Sequence, residues 1–226
     1  MQRLDPQDAS SKSSRRIIVA GLEASGSTFM YQVCNHLGLN TIKIHGARPT
    51  NRTELTLFPF RDIRDVITSN AKRRRHQLWN DNKIEDALIA EIDRFIQGQF
   101  PQAISNSTKM RDVIMLRYES FFPGNEHILV QLIADQYILS ISRSKIIDIV
   151  SRYSIDSNQV RSNKHNSFKE WDAETYIHGN HITNKGVSGG WKGVFTKRVE
   201  IYFKNVLGDL LVDLGYEKDL NWSFDK

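Results

Sequence analysis

Short apolar runs alternate with longer segments of helical periodicity along this chain. Four apolar runs predict β-strands, and they cover residues 16–21, 41–44, 55–60 and 113–117. Apolar residues at three- and four-residue steps predict helices over 27–37, 63–77, 83–97, 126–140 and 197–214. Strands that alternate with helices are typical of βαβ units. The pattern therefore predicts an α/β fold of three layers with a mostly parallel central sheet.

One long stretch, residues 151–194, interrupts this alternation. It has little periodicity and is rich in Asn, Ser, Gly and Lys. Regular periodicity resumes in the last helix, where Thr196 suits the N-cap position and Gly215 suits a C-terminal stop. A long irregular stretch in an α/β protein is more often a functional loop than a defect, so we interpret it as a lid.

A glycine-rich loop follows the first predicted strand. Residues 21–28 read Gly-Leu-Glu-Ala-Ser-Gly-Ser-Thr, and the next helix begins at Ser27. Such a loop directs backbone N–H groups and a helix N-terminus at one point, which suits a bound phosphate. The spacing is that of the nucleotide-binding P-loop, G-x-x-x-x-G-K-[ST], but Ser27 replaces the lysine. The loop therefore predicts a P-loop-type nucleotide site with different chemistry; an ordinary strand-to-helix turn is the alternative.

Further polar residues follow the next strands. Alternation along the second strand puts Lys43 and His45 on the same side. Arg61 ends the third strand, and Ser69 lies about two turns into the helix that follows. Ligands of open parallel sheets bind at the carboxyl ends of the strands, so these side chains could share a site with the glycine loop. Surface residues, and ion-paired arginines beside a capped helix, are the alternatives.

Two more segments could carry chemistry. Residues 181–196 combine glycines, lysines and one tryptophan, which suits either close approach to a ligand or a flexible loop around a core tryptophan. The basic run 72–76 lies within a predicted helix, so its side chains point in several directions. We interpret it as a solvated helix end, with an anionic acceptor or a partner surface as the alternative.

Composition narrows the function classes. The 226 residues suit one domain with a sizeable core, here residues 16–226 after a polar leader over 1–15. A net charge of +5 fits anionic ligands but is too small to indicate nucleic acid. The single cysteine and the spacing of the seven histidines predict no metal site. No apolar stretch is long enough for a membrane span, and no signal peptide is evident, so we expect a cytoplasmic protein.

Taken together and in this order, the motifs resemble those of the sulfotransferases that use 3′-phosphoadenosine 5′-phosphosulfate (PAPS). The family's loop T-Y-P-K-S-G-T-T-W corresponds to residues 21–29. The resemblance implies that the backbone and hydroxyl groups of four residues bind the 5′-phosphate: Ser25, Gly26, Ser27 and Thr28. It also implies that Phe29 takes the place of an aromatic residue that stacks on adenine.

The resemblance extends from about residue 16 to 217. The family's K-T-H element corresponds to Lys43-Ile-His45, and its arginine and serine for the 3′-phosphate correspond to Arg61 and Ser69. Tyr118 matches a tyrosine near adenine. The family's terminal motif, R-K-G-x-x-G-D-W-K-x-x-F-T, corresponds to residues 184–196. In this motif Lys185 and Gly186 would contact the 3′-phosphate.

The resemblance implies transfer of a sulfuryl group from PAPS to a hydroxyl or amine, which leaves adenosine 3′,5′-bisphosphate (PAP). His45 would be the general base, and Lys43 would neutralise charge on the departing phosphate. The acceptor is open, with polar loops favouring a small polar or carbohydrate-like molecule. The oligomeric state is also open.

Three positions depart from the family pattern. Ala24 replaces the loop lysine, with Glu23 before it; Asn184 replaces the arginine of the terminal motif, and Gly190 replaces an aspartate. These changes keep a second function in view, a nucleotide-binding protein that has lost activity. A P-loop kinase is a third, although position 27 lacks its lysine. A nucleic-acid-binding module comes last, because the chain lacks interleaved aromatic residues.

Overall fold

The computed structural model describes residues 16–45, 54–182 and 186–223, and for His45 it describes the backbone alone. The polar leader, Asn184 and Lys185 lie outside these residues. Four strands form one sheet: β1 (Ile17–Gly21), β2 (Thr41–His45), β3 (Leu55–Phe60) and β4 (Val113–Arg117). Their order is β2-β1-β3-β4, and every pairing is parallel. The predicted α/β class is confirmed, and each predicted strand agrees with the observed one to within a residue.

Helices cover both faces of this sheet. Their bounds are α1 (Ser27–His36), α2 (Ile63–Arg74), α3 (His76–Asn80), α4 (Ile84–Gln97), α5 (Phe100–Lys109), α6 (Glu126–Gln136), α7 (Arg143–Arg152), α8 (Ile155–Ser162) and α9 (Lys197–Asp213). Short 3₁₀ turns occupy Tyr118–Ser120 and Gly190–Gly193. Within the described residues, no helix has the length and apolar character needed to cross a membrane.

The two faces of β1 belong to two different hydrophobic clusters. Ile18 and Ala20 pack with residues of α2, α4 and α9. Ile17 and Val19 pack with residues of α1, α6 and α7. Alternate side chains of a strand point to opposite faces, so a fully apolar strand is what a sheet between two helical layers requires. The predicted three-layer arrangement follows from this division of the core.

The prediction of an irregular stretch over residues 151–194 is wrong in part. Helix α8 lies within it and begins at the N-cap Ser154, whose hydroxyl accepts the N–H of Ser157. This helix buries polar residues, Asn158 and Ser162, and therefore shows no apolar periodicity. Asn158 exchanges hydrogen bonds with the amide of Gln32 in α1, which attaches α8 to the helix that follows the glycine loop.

The parallel register brings the predicted site residues to one edge of the sheet. Lys43 is paired with Val19, and His45 is paired with Gly21, the first residue of the glycine loop. Phe60 is paired with Arg117, so Arg61 and Tyr118 leave neighbouring strands at the same level. The carboxyl ends of β1, β2, β3 and β4 therefore face one common site.

Candidate active site

A cavity of about 200 Å³ lies at this edge of the sheet. Its walls come from the glycine loop, β2, α2, the turn after β4, and the segments before and after residues 183–185. Nine of the predicted site residues line it: Gly26, Ser27, Thr28, Phe29, Lys43, Arg61, Ser69, Tyr118 and Gly186. Residues that are up to 160 positions apart in the sequence thus meet at one place.

The glycine loop has the backbone that a phosphate site requires. Gly26 is the N-cap of α1 and has φ 87°, in the left-handed region that favours glycine. A Cβ at this position would lie 3.1 Å from Tyr118 Cδ2 and 3.2 Å from Phe122 Cε2. Gly26 supplies no side-chain cap to this helix. The N–H groups of the first turn are therefore available to a ligand in the cavity.

Hydroxyl groups of the loop have separate tasks. Ser25 is buried, and its Oγ donates a hydrogen bond of 2.6 Å to the carbonyl of Leu22, which stabilises the shape of the loop. Thr28 Oγ1 instead accepts a hydrogen bond of 2.6 Å from Lys43 Nζ, across the cavity floor. The 5′-phosphate role predicted for the Ser25 hydroxyl therefore competes with an intraloop bond, whereas Thr28 and Lys43 already act together.

His181 also contacts Thr28, and sequence reasoning assigned it no role. Its Nδ1 accepts the backbone N–H of His178 at 3.2 Å, so in the neutral ring Nε2 carries the hydrogen. That Nε2 lies 3.2 Å from Thr28 Oγ1 and donates to it. Both lone pairs of the hydroxyl are then used, and its own hydrogen can be donated to a ligand. His181 lies in an aperiodic segment, where the sequence gives no signal for this pairing.

Lys43 is in an unusual electrostatic environment. The pKa of Lys43 is lowered to about 8, mainly by burial and to a smaller extent by the nearby charge of Arg73, while Glu23 opposes the change. The ammonium group also lies 5.7 Å from the centre of the Tyr176 ring. Lys43 is thus a half-buried cation with the glycine loop on one side. His45, its predicted partner, ends β2 beyond the last side chain of that strand that the structure describes, so its role stays a prediction.

Arg61 connects the glycine loop to the segment after residue 185. Its Nη1 donates to the carbonyl of Ala24 at 3.1 Å, and its Nη2 donates to the carbonyl of Val187 at 2.6 Å. The guanidinium lies 4.5 Å from the centre of the Tyr118 ring and is 4% exposed. Its buried Nε donates no hydrogen bond to any residue in the described ranges. A buried cation with an unused donor on a cavity wall suits an anionic ligand.

Asp65 fixes this arginine and the segment beyond it. Its carboxylate, 1% exposed, lies 3.5 Å from Arg61 Nη2 and accepts the backbone N–H groups of Gly189 at 2.7 Å and Trp191 at 3.1 Å. Burial raises the pKa of Asp65, while Arg61 and the two N–H donors oppose that change. The sequence 62–65 resembles a capping box, and Asp62 does cap α2. In a complete capping box, Asp65 would accept the backbone N–H of Asp62. Here that N–H donates to Glu119 instead, because Asp65 is turned toward residues 189–191.

Two aromatic rings form a wall beside the glycine loop. Tyr118 and Phe122 stack with centroids 4.7 Å apart, and Phe29 meets Phe122 edge-on at 5.0 Å. The Tyr118 hydroxyl donates to the carbonyl of Gly186 at 2.9 Å. Gly186 has φ 71°, and a Cβ there would lie 2.5 Å from Ile155 Cδ1. A side chain at this position would be strained, which favours glycine. The terminal motif therefore contacts the aromatic wall through Gly186, whereas Lys185 lies outside the described residues.

Glu23, an acid beside a candidate anion site, is surrounded by cations. Arg73, Arg74 and Arg94 all contact its carboxylate, at 3.4 Å for Arg73 Nη2 and 3.1 Å for Arg94 Nη2. Burial by itself would raise the pKa of Glu23, but the three guanidinium groups hold it below its usual value. The interpretation of residues 72–76 as a solvated helix end is wrong for Arg73, whose side chain is 7% exposed and lines the cavity.

Comparisons with known proteins agree with this architecture at the level of the fold. No protein-family model and no curated protein sequence matches the chain. Among solved structures, mouse sulfotransferase SULT7A1 complexed with PAP is similar at 13% identity, with a TM-score of 0.60 over 93% of this chain and 91% of that one. Retinol dehydratase complexed with retinol and PAP is similar at 15% identity, with a TM-score of 0.62 over 92% of this chain and 85% of that one.

Retinol dehydratase complexed with androsterone and inactive cofactor PAP is similar at 14% identity, with a TM-score of 0.62 and the same coverage. At these identities the likeness shows a shared fold. The chain therefore has the α/β fold of the sulfotransferases, with a four-stranded parallel sheet at its centre. In the described part of the chain, no group of three or more His, Cys, Asp or Glu side chains could hold a metal ion.

Asp65→Asn tests the anchoring of the segment after residue 185. The amide has one acceptor oxygen, so it cannot accept from both Gly189 and Trp191 and also pair with Arg61. We expect the free energy of unfolding to fall by about 3 kcal/mol, as when one partner of a buried ion pair is removed. Urea denaturation measures this loss, and hydrogen exchange should show faster exchange at the Gly189 and Trp191 amides.

Asp209→Asn is the matched control, because Asp209 is exposed on α9. It should leave both the unfolding free energy and the two amides unchanged. Unaltered protection of Gly189 and Trp191 in Asp65→Asn would contradict the anchoring role.

Proposed function

We propose that this protein is a PAPS-dependent sulfotransferase that transfers a sulfuryl group to a hydroxyl or amine of a small polar or carbohydrate-like acceptor. The observation that carries the proposal is the shared cavity. It brings together the glycine loop, Lys43, Arg61, Ser69 and Tyr118, the residues whose motifs resemble those of the PAPS-dependent enzymes. The three solved structures named above are complexed with PAP, the product that PAPS leaves after transfer.

The chemistry of the cavity wall fits such a nucleotide. The unused Nε donor of Arg61, next to Ser69, suits the 3′-phosphate, with Lys185 assigned to the same group. The backbone of residues 25–28 and the hydroxyl of Thr28 suit the 5′-phosphate. Phe29 and the stacked rings of Tyr118 and Phe122 supply an aromatic surface for adenine.

When bound, PAPS supplies the sulfuryl group. Lys43 holds a positive charge beside the glycine loop, where charge develops on the phosphate as the group departs. His45 takes the proton of the acceptor hydroxyl on its imidazole, a role that neutral histidine performs well near pH 7. The rest of the cavity orients the two reactants and excludes water.

Two other functions remain as alternatives. Ala24 and Asn184 favour a nucleotide-binding protein of this fold without activity. A P-loop kinase would need a lysine at position 27, where this chain has serine. The shared cavity, the buried Arg61 and the half-buried Lys43 favour a functional PAPS site over both.

Calorimetric titration with PAP is the first test. We expect binding in the micromolar range that depends on the 3′-phosphate, because Arg61 and Ser69 can contact that group only when it is present. AMP, which lacks the group, should bind at least about tenfold more weakly, since one lost charge-assisted contact corresponds to that factor. ATP with magnesium is the second control. Preference for ATP, or no binding of PAP, would contradict the proposal.

The pH dependence of PAP binding tests Lys43. The pKa of Lys43 is about 8, so the side chain is charged below that pH and becomes neutral above it. Affinity should therefore be constant from about pH 7 to 7.5 and fall above pH 8, by up to about tenfold per pH unit for one proton. Both phosphates of PAP stay ionised in this range.

Lys43→Arg is the control for this titration, because arginine keeps its charge. Its affinity should be independent of pH up to about pH 10. Two other groups that line the cavity do not interfere, since the pKa of His178 is lowered and that of Tyr118 is raised to about 12. The same decline in Lys43→Arg would exclude Lys43 as the titrating group.

His45→Ala tests the general base. Turnover of labelled PAPS with a mixture of phenols and sugars should fall by about 10²–10⁴-fold, while PAP affinity stays unchanged. His127→Ala, at an exposed position of α6, should change neither quantity. Weakened PAP binding or undiminished turnover in His45→Ala would reject the assignment.

A further inference from the structure

Arg73 lies in the active-site cavity although no matched motif includes it. It is four residues after Ser69 on α2, and both side chains line the cavity. Residues four apart share one face of a helix, which explains why both reach the same space. The guanidinium lies 4.5 Å from the centre of the Phe168 ring, and the side chain is 7% exposed.

The guanidinium of Arg73 has hydrogen-bond donors in excess of its partners. Its Nη2 donates to Asn70 Oδ1 at 2.6 Å and lies 3.4 Å from Glu23 Oε2. Its buried Nε makes no hydrogen bond within residues 16–45, 54–182 and 186–223. A guanidinium carries five N–H donors, and a buried donor without a partner is costly. The arrangement suits a ligand that brings its own oxygen atoms.

Pairing with Glu23 does not account for the position of Arg73. Arg74 and Arg94 both lie closer to the Glu23 carboxylate than Arg73 does. Glu91 is the second carboxylate of this group, at 2.7 Å from Arg94 Nε and 4.0 Å from Arg74 Nε. Three guanidinium groups thus share two carboxylates, which leaves one positive charge in excess. Of the three arginines, Arg73 is the one that lines the cavity.

The charge of Arg73 extends across the cavity. It lowers the pKa of Lys43, after burial, and it also lowers the pKa of His178, where burial is again the main cause. The ring of His178 stacks on Phe168 with centroids 4.4 Å apart, and its Nδ1 donates to the carbonyl of Phe168. A flat surface and a buried cation therefore lie side by side in the cavity.

We propose that Arg73 binds a carboxylate of the acceptor substrate, whose flat or apolar part packs on Phe168 and His178. This inference rests on the proposed function and names its substrate class, a hydroxylated acid. The alternative role for Arg73, contact with the nucleotide donor, makes a different prediction in the experiment below.

The test compares acids with their neutral carboxamides as acceptors of labelled sulfate from PAPS. Suitable pairs are 4-hydroxybenzoate with 4-hydroxybenzamide and 3-(4-hydroxyphenyl)propionate with its amide. The acid of at least one pair should have a kcat/KM at least about tenfold above its amide, the factor that one charge-assisted hydrogen-bond pair provides. Arg73→Gln should abolish this preference through KM. Arg73→Lys, which keeps the charge without the planar fork, should retain part of it.

Lys72→Gln is the matched control, because it removes the same charge from an exposed position of α2. It should preserve the preference. PAP titration of the wild type and of every variant separates the proposed function from the proposed role of Arg73. If the wild-type protein does not bind PAP, the proposed function itself is overturned. PAP binding with no preference for any acid overturns the role of Arg73. An equal loss for acid and amide in Arg73→Gln, or a loss of PAP affinity, assigns Arg73 to the donor and also overturns it.

Discussion

The carboxylate of Asp65 determines how the segments around the cavity fit together. It lies on the first turn of α2 and receives two backbone N–H groups from residues 189–191, more than 120 positions away. It also pairs with Nη2 of Arg61, which donates to the carbonyl of Val187, while Nη1 of the same arginine donates to Ala24 in the glycine loop. An isolated buried carboxylate would be very unfavourable, so these donors must be present together. The glycine loop, α2 and the C-terminal segment therefore form one unit, and a change in any one of them alters the cavity.

The central sheet could be predicted from the sequence because each strand is an apolar run between two helical layers. The helices α5, α7 and α8 were not predicted from the sequence, and of these α8 buries only polar residues. In α8 the buried residues are Asn158 and Ser162, which are held by hydrogen bonds to Gln32 and to the carbonyl of His178. Hydrogen bonds between distant segments leave no periodic pattern in a sequence, whereas burial of apolar side chains does.

The same distinction applies to the candidate site. Motif spacing brought the glycine loop, Lys43, Arg61, Ser69 and Tyr118 together, because they lie near or after the carboxyl ends of parallel strands. It could not show that Asp65 turns toward residues 189–191 or that Arg73 enters the cavity. Charge compensation decides the second case: Arg74 and Arg94 satisfy Glu23, and Arg73 remains on the cavity wall. The result is a cavity with a cation at each of three places, Arg61, Lys43 and Arg73.

The hydroxyl of Thr28 couples two segments that belong to different parts of the site. It accepts from Lys43 on the sheet and from His181 on the segment that carries Phe168 and His178. A nucleotide that attracts Lys43 or the Thr28 proton changes the strength of the bond to His181. By thermodynamic reciprocity, whatever fixes residues 163–182 then changes the affinity for the nucleotide by the same factor. The affinities for the two reactants can thus be coupled through this single oxygen atom.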